Sequence, residues 1–127
     1  MAYDHGAFRV SNLDDSIKFY TEKLGFEFLF RNRSEEHGEE YAFLSFNGAR
    51  LELIETIGEK YVPVMPERPY CPHLCFETTD MDETIKMLSD AGIDLLDGPN
   101  ELPGHERWLY FMDPDYNVLE YIIWLDK

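Results

Sequence analysis

A chain of 127 residues, 44% hydrophobic and 15% aromatic, is long enough to bury one core, which excludes a disordered or low-complexity class. With 11 basic against 26 acidic residues the net charge is −15, which excludes nucleic acid and anionic membrane surfaces as partners. An anionic substrate would have to be met locally, by a metal or a particular arginine. Cys71 and Cys75 are too few for a disulfide framework, no apolar run approaches the roughly 20 residues of a membrane helix, and no signal-peptide pattern opens the chain. A cytoplasmic protein is expected.

The first strand is expected over residues 6–11, where His5, Ala7 and Arg9 alternate with Gly6, Phe8 and Val10. Asn12 reads as a helix N-cap with Asp15 three residues on. Leu13, Ile17, Tyr20 and Leu24 form the apolar stripe of that helix, and Gly25 ends it. Strands follow over residues 26–33, 41–46 and 50–56, the last two joined by the hairpin signal Asn47-Gly48. Residues 57–72 hold four of the seven prolines and no periodicity, so they read as a linker.

The order then recurs. A strand is expected over residues 73–78, then the cap Asp80 with Glu83 at the capping-box position, the stripe Met81, Ile85 and Leu88, and the terminator Gly92. Strands are expected over 93–96, 106–112 and 118–125, with Asp113-Pro114-Asp115 as the turn before the last. Each half is β-α-β-β-β. A shift of 68 residues carries His5 onto His73, Phe8 onto Phe76, Asp14 onto Asp82, Ile17 onto Ile85, Lys18 onto Lys86, Phe43 onto Phe111 and Glu52 onto Glu120. Such a period is too long for a solenoid unit, where roughly 20 to 50 residues are usual. It suits one duplicated domain, with module one over residues 1–56, a linker over 57–72 and module two over 73–127.

In both modules a His opens the first strand and a Glu sits inside the last. Glu52 lies between Leu51 and Leu53, and Glu120 between Leu119 and Tyr121. A carboxylate in so apolar a strand must face solvent or be compensated. Strand alternation gives His5, Ala7 and Arg9 one face, and Arg50, Glu52 and Ile54 another such set. Taken singly, each His or Glu favours an ordinary surface or core role. Four of them at repeated spacing favour a divalent metal, since imidazole and carboxylate suit Zn²⁺, Ni²⁺, Fe²⁺, Co²⁺ or Mn²⁺. His37 and His105 fall outside the repeat and read as surface residues. Cys71 and Cys75 flank His73 and read as small apolar lining, with a thiol ligand as the weaker alternative.

The stretches HGAFRVSNLDDSIKFYTEKLG from His5, Ala49 through Glu52, His73 through Gly92, and DPDYNVLE from Asp113 resemble the vicinal oxygen chelate superfamily of glyoxalase I, extradiol dioxygenases and bleomycin resistance proteins. The resemblance implies an α+β fold, in which two tandem βαβββ modules form a curved-sheet cleft around a metal. The His5, Glu52, His73 and Glu120 set is similar to that of glyoxalase I. It implies one divalent ion (Ni or Zn first; Fe, Co or Mn as alternatives) and glutathione or another thiol as co-substrate. The implied reaction is a lyase or isomerase step through a metal-stabilised enediolate, with Glu120 as the base and Glu52 as its symmetric partner. Arg9 matches an arginine that contacts a glutathione carboxylate, and Arg107 is a second candidate for substrate binding. Thr56 and Tyr116 depart from the family's usual Asn and Gly. An epimerase, an extradiol-type dioxygenase and a non-catalytic binding or resistance protein are the alternatives. A small-molecule substrate and a homodimer are also implied.

Overall fold

A computed structural model describes all 127 residues as two compact units, Met1–Val64 and Met65–Lys127, divided within the expected linker. The first unit holds β1 (His5–Arg9), α1 (Leu13–Lys18), β2 (Glu27–Ser34), β3 (Glu39–Phe46) and β4 (Ala49–Thr56). The second repeats the pattern with β5 (His73–Glu77), α2 (Met81–Asp90), β6 (Leu95–Leu102), β7 (Glu106–Met112) and β8 (Val118–Trp124). The α+β fold of tandem βαβββ modules expected from the sequence is the fold observed.

Each unit is a four-stranded sheet, in the order β1-β4-β3-β2 and then β5-β8-β7-β6. The first and last strands of each unit pair in parallel, and the other ladders are antiparallel. A parallel pair needs a crossover between its strands, and the helix and outer hairpin supply it. This pairing is what sets a residue from the start of each module beside one near its end.

The helices start and stop where the sequence predicts. Asn12 Oδ1 accepts from the Asp15 N–H at 3.0 Å, and Asp80 Oδ1 from the Glu83 N–H at 3.0 Å. At the first helix's end Gly25 takes φ +78 and the Phe26 N–H donates to the Tyr20 carbonyl at 3.0 Å, satisfying a terminal acceptor. The single helix expected through Leu24 is instead α-helical to Lys18 and widens into a π-helical turn over Phe19–Lys23. There the Thr21 hydroxyl donates to the Ile17 carbonyl at 2.8 Å, so a side chain competes for a backbone acceptor.

Strand alternation gives every sheet two unlike faces. In the first unit Phe8, Ala42, Leu44, Leu51 and Leu53 are buried with the helix residues Leu13 and Tyr20. In the second, Leu109, Phe111, Leu119 and Tyr121 are buried with Met81 and Leu88. The opposite faces carry the His and Glu residues.

Two expectations need correction. The strand expected over residues 93–96 is β6, Leu95–Leu102, whose pairing with β7 shifts on both sides of Asp97. Gly98 and Pro99 lie where that pairing is interrupted, in a bulge that an edge strand accommodates. The second correction is that Phe111 is not the counterpart of Phe43. Phe43 pairs with Glu52 on the ligand face, whereas Glu120 pairs with Tyr110, and Phe111 turns into the core opposite Leu119. The Asn47-Gly48 hairpin is shorter than the Asp113–Asn117 turn, and one residue of slip reverses the face of every side chain.

The bulge at Gly98 is built around a missing side chain. Its φ is +103, and an added Cβ would lie 3.0 Å from the Trp108 carbonyl oxygen and 3.1 Å from Leu109 Cα. Replacement Gly98→Ala is expected to destabilise the chain by about 1–3 kcal/mol, read by urea unfolding. An unchanged midpoint would show that the bulge yields freely.

Candidate functional site

In module one the parallel β1–β4 ladder places Ala7 opposite Glu52, which sets His5 and Glu52 on one face. His5 Nε2 lies 3.2 Å from Glu52 Oε1, and His5 Nδ1 lies 2.7 Å from Asp4 Oδ2. Phe43 meets the imidazole edge-on, with ring centroids 4.9 Å apart. Module two repeats this arrangement with different supports. Cys75 pairs with Glu120, His73 Nε2 lies 3.0 Å from Glu120 Oε1, and His73 Nδ1 lies 2.9 Å from the Tyr70 carbonyl. Tyr110 stands edge-on to His73 at 5.3 Å.

The tautomers follow from the partners. A carbonyl only accepts, so His73 Nδ1 carries a proton and donates it to Tyr70; the Asp4 carboxylate draws a proton to His5 Nδ1 in the same way. Each Nε2 lone pair is then directed at a carboxylate oxygen. Two acceptors about 3 Å apart repel unless a cation lies between them, either a proton or a metal. Imidazole and carboxylate donors about 2.1 Å from one ion and at right angles would lie about 3 Å apart, so the separations fit a shared divalent ion. The carbonyl and carboxylate behind the rings are the outer partners that metal-binding imidazoles use. The structure brings no three His, Cys, Asp or Glu side chains together as a metal-binding group, so what it shows is two separate His–Glu pairs.

The halves differ in burial and surroundings. The side chain of Glu120 is 11% exposed and that of Glu52 17%. Beside the second pair, in the same unit, lies a cavity of about 500 Å³ lined by Arg68, Pro69, Tyr70, Asp97, Asn100, Trp108 and Tyr110. Burial, and next the Glu120 carboxylate, push the Tyr110 phenol above its ordinary value, so it keeps its proton at neutral pH. Cys75 has an open surface, yet lost hydration around its sulfur and then the Glu120 charge push the thiol up to about 12. In the metal-free chain it is a thiol near neutral pH. Sequence reading missed the cavity walls because Arg68, Pro69 and Tyr70 lie in the linker and Asp97 and Asn100 in the bulge.

The other candidates separate. Arg9 shares the His5–Glu52 face and is held by Glu59 Oε1 at 3.2 Å and over the Tyr61 ring at 4.4 Å, both from the expected linker. Arg107 alternates onto the face of β7 opposite Tyr110, and its Nε lies 3.4 Å from Glu101. The β7 register therefore takes it off the Glu120 face. His37 bonds the Ser34 hydroxyl at 2.8 Å and His105 meets Asp126 at 3.1 Å, both at the surface. Cys71 lies 3.9 Å from His73 Nδ1, behind the ring and away from Glu120.

Residues 2–121 match the Glyoxalase/Bleomycin resistance protein/Dioxygenase superfamily, and the chain belongs to it. It is 29% identical to a probable lactoylglutathione lyase of Vibrio cholerae, over 93% of this chain and 87% of that protein. To the metallothiol transferase FosB of Shouchella clausii it is also 29% identical, over 92% and 76%. Among solved structures, the glyoxylase/bleomycin resistance protein/dioxygenase domain from Frankia sp. EAN1pec superposes with a TM-score of 0.81 at 28% identity, covering 99% and 93% of the two chains. The match over residues 2–121 establishes the family, and two relatives with different names at equal identity leave the reaction to the site. No helix is long and apolar enough to cross a membrane.

The His5 environment carries a pH prediction. The hydrogen bond to Asp4 raises its pKa above 6.5 against the opposing effect of burial, and Glu52 adds to the rise. A raised folded-state value stabilises the fold below about pH 6.5, and that contribution is lost as pH climbs through the raised value. In metal-free protein, NMR titration of the His5 ring is expected to show a midpoint above 6.5 that falls in Asp4→Asn. A midpoint insensitive to Asp4 would remove this carboxylate as the ring's orienting partner.

Proposed function

We propose that the chain is a divalent-metal-dependent lyase or isomerase of the glyoxalase I type, acting on a small molecule that chelates through adjacent oxygens, such as a 2-oxoaldehyde–thiol hemithioacetal. His5, Glu52, His73 and Glu120 are the proposed ligands of one ion, Ni²⁺ or Zn²⁺ first. The observation that carries the reading is the pair of Nε2-to-carboxylate contacts at 3.2 and 3.0 Å, each backed by an acceptor on Nδ1. Four such donors leave room for substrate oxygens, and a purely hydrophobic binding cleft would need none of them.

A bound ion supplies Lewis acidity toward the substrate's oxygens. Glu120 is the proposed base: it takes the proton from the carbon next to the carbonyl and returns it to the neighbouring carbon. Its deeper burial and the adjoining cavity favour it over Glu52, which is the symmetric partner. Val118 and Ile122, on the same strand face as Glu120, are buried and limit water around the carboxylate. Arg9 is the proposed contact for an anionic group near the first pair. A homodimer in the cytoplasm completes the proposal, read by sedimentation and cell fractionation.

The reading is tested by loading the protein with Ni²⁺ or Zn²⁺ and following thioester formation from methylglyoxal with glutathione and, separately, with 2-mercaptoethanol. Turnover is expected with at least one thiol, and Glu120→Gln is expected to lower kcat by about 10²- to 10⁴-fold. Full activity in that variant would remove Glu120 as the base. No thioester with either metal and either thiol would remove the lyase reading.

A further inference from the structure

The cavity beside His73 and Glu120 has flat walls and no free charge. Tyr70 and Tyr110 pack with centroids 5.2 Å apart, and Trp108 and Pro69 complete the apolar lining. Its cation is already neutralised: Arg68 Nη2 lies 2.7 Å from Asp97 Oδ2, while the other Asp97 oxygen accepts from Asn100 Nδ2 at 3.2 Å. A carboxylate entering this space would meet a chain of net charge −15 and would have to compete with Asp97 for Arg68, the one arginine of the lining. An uncharged planar group would stack on the rings instead.

One polar group of the lining stands opposite Glu120 across the ladder. The Tyr110 hydroxyl makes no hydrogen bond within the chain, its ring lines the cavity, and β7 sets it directly opposite Glu120. Module one has Phe43 at the matching place, so the duplication carries this hydroxyl in only one half. A phenolic donor beside a carboxylate base suits an oxygen that gains negative charge as the neighbouring C–H proton leaves.

We propose that this cavity takes the uncharged, planar end of an α-hydroxy or α-oxo carbonyl substrate, an aryl group being the type case, with the Tyr110 hydroxyl donating to a substrate oxygen. The assignment rests on the reading of Glu120 as a proton-transfer base. It adds a selectivity, neutral and flat over anionic, that the ligand set does not determine.

The test uses the full chain and two phenyl-bearing probes of similar size: 2-hydroxyacetophenone, which is neutral, and mandelate, which carries a carboxylate. Without added metal, calorimetry is expected to show 2-hydroxyacetophenone binding about tenfold or more tighter than mandelate, with Trp108→Ala losing about tenfold. Asp97→Asn releases Arg68 and is expected to shift the preference several-fold toward mandelate, a change no merely structural role would produce. Should Trp108→Ala not fold, Trp108→Leu serves, because it removes the flat ring while keeping an apolar side chain. In Zn²⁺-loaded protein in D₂O, Tyr110→Phe is expected to slow exchange of the α-hydrogens of 2-hydroxyacetophenone by tenfold or more in kcat, with KM nearly unchanged. Equal affinity for the two probes, or an Asp97→Asn variant with the original preference, overturns the proposal. Tight neutral binding without α-hydrogen exchange would keep the cavity assignment while sinking the proton-transfer role. Hemithioacetal turnover with no binding of the neutral probe would do the reverse.

Discussion

Each half of this protein directs an imidazole lone pair at a carboxylate oxygen and holds the ring so that it cannot turn away. The hold comes from behind, through Asp4 for His5 and the Tyr70 carbonyl for His73. The acceptor-to-acceptor contact that results is unfavourable without a cation, and it sits on a strand face whose reverse is packed core. The parallel pairing of the first and last strand of each module creates the contact, and the crossover helix with its capped start makes that pairing possible. Fold and chemistry are therefore coupled through one ladder in each unit.

Much of this was legible in the amino-acid order. Caps at Asn12 and Asp80, terminators at Gly25 and Gly92, and the Asn47-Gly48 turn are local signals, and local backbone chemistry decides them. The His and Glu repeat was legible because both members stand on strands whose pairing the duplication preserves. The failures have a common origin in register. Phe43 and Phe111 share the 68-residue shift, yet the longer Asp113–Asn117 turn displaces β7 by one residue and brings Tyr110 to the ligand face. Arg107 lies on the other face of β7. The strand expected over 93–96 runs on to Leu102 because β6 is an edge strand, whose bulge accommodates Gly98 and Pro99.

Long-range placement was the other blind spot. The segment that reads as a linker holds Arg9 through Glu59 and Tyr61, and lines the cavity with Arg68, Pro69 and Tyr70. Prolines without periodicity reveal nothing about which strand they will lie against. The two His–Glu pairs thus look alike in sequence but differ in setting. One has an exposed rim, Phe43 and a restrained arginine; the other has a cavity, a free phenol and the more buried carboxylate. Duplication supplied the matched His–Glu pairs, and divergence around them made their surroundings unlike.

The central claim is that the two pairs are halves of a single metal site. Metal content per chain, measured by elemental analysis after equilibration with Zn²⁺ or Ni²⁺ and gel filtration, tests it most directly in the wild type, His5→Ala and His73→Ala. The account predicts one ion per chain in the wild type and near-complete loss in either variant. Two ions per chain, with each variant losing only one, would contradict it, as would one ion retained in either variant.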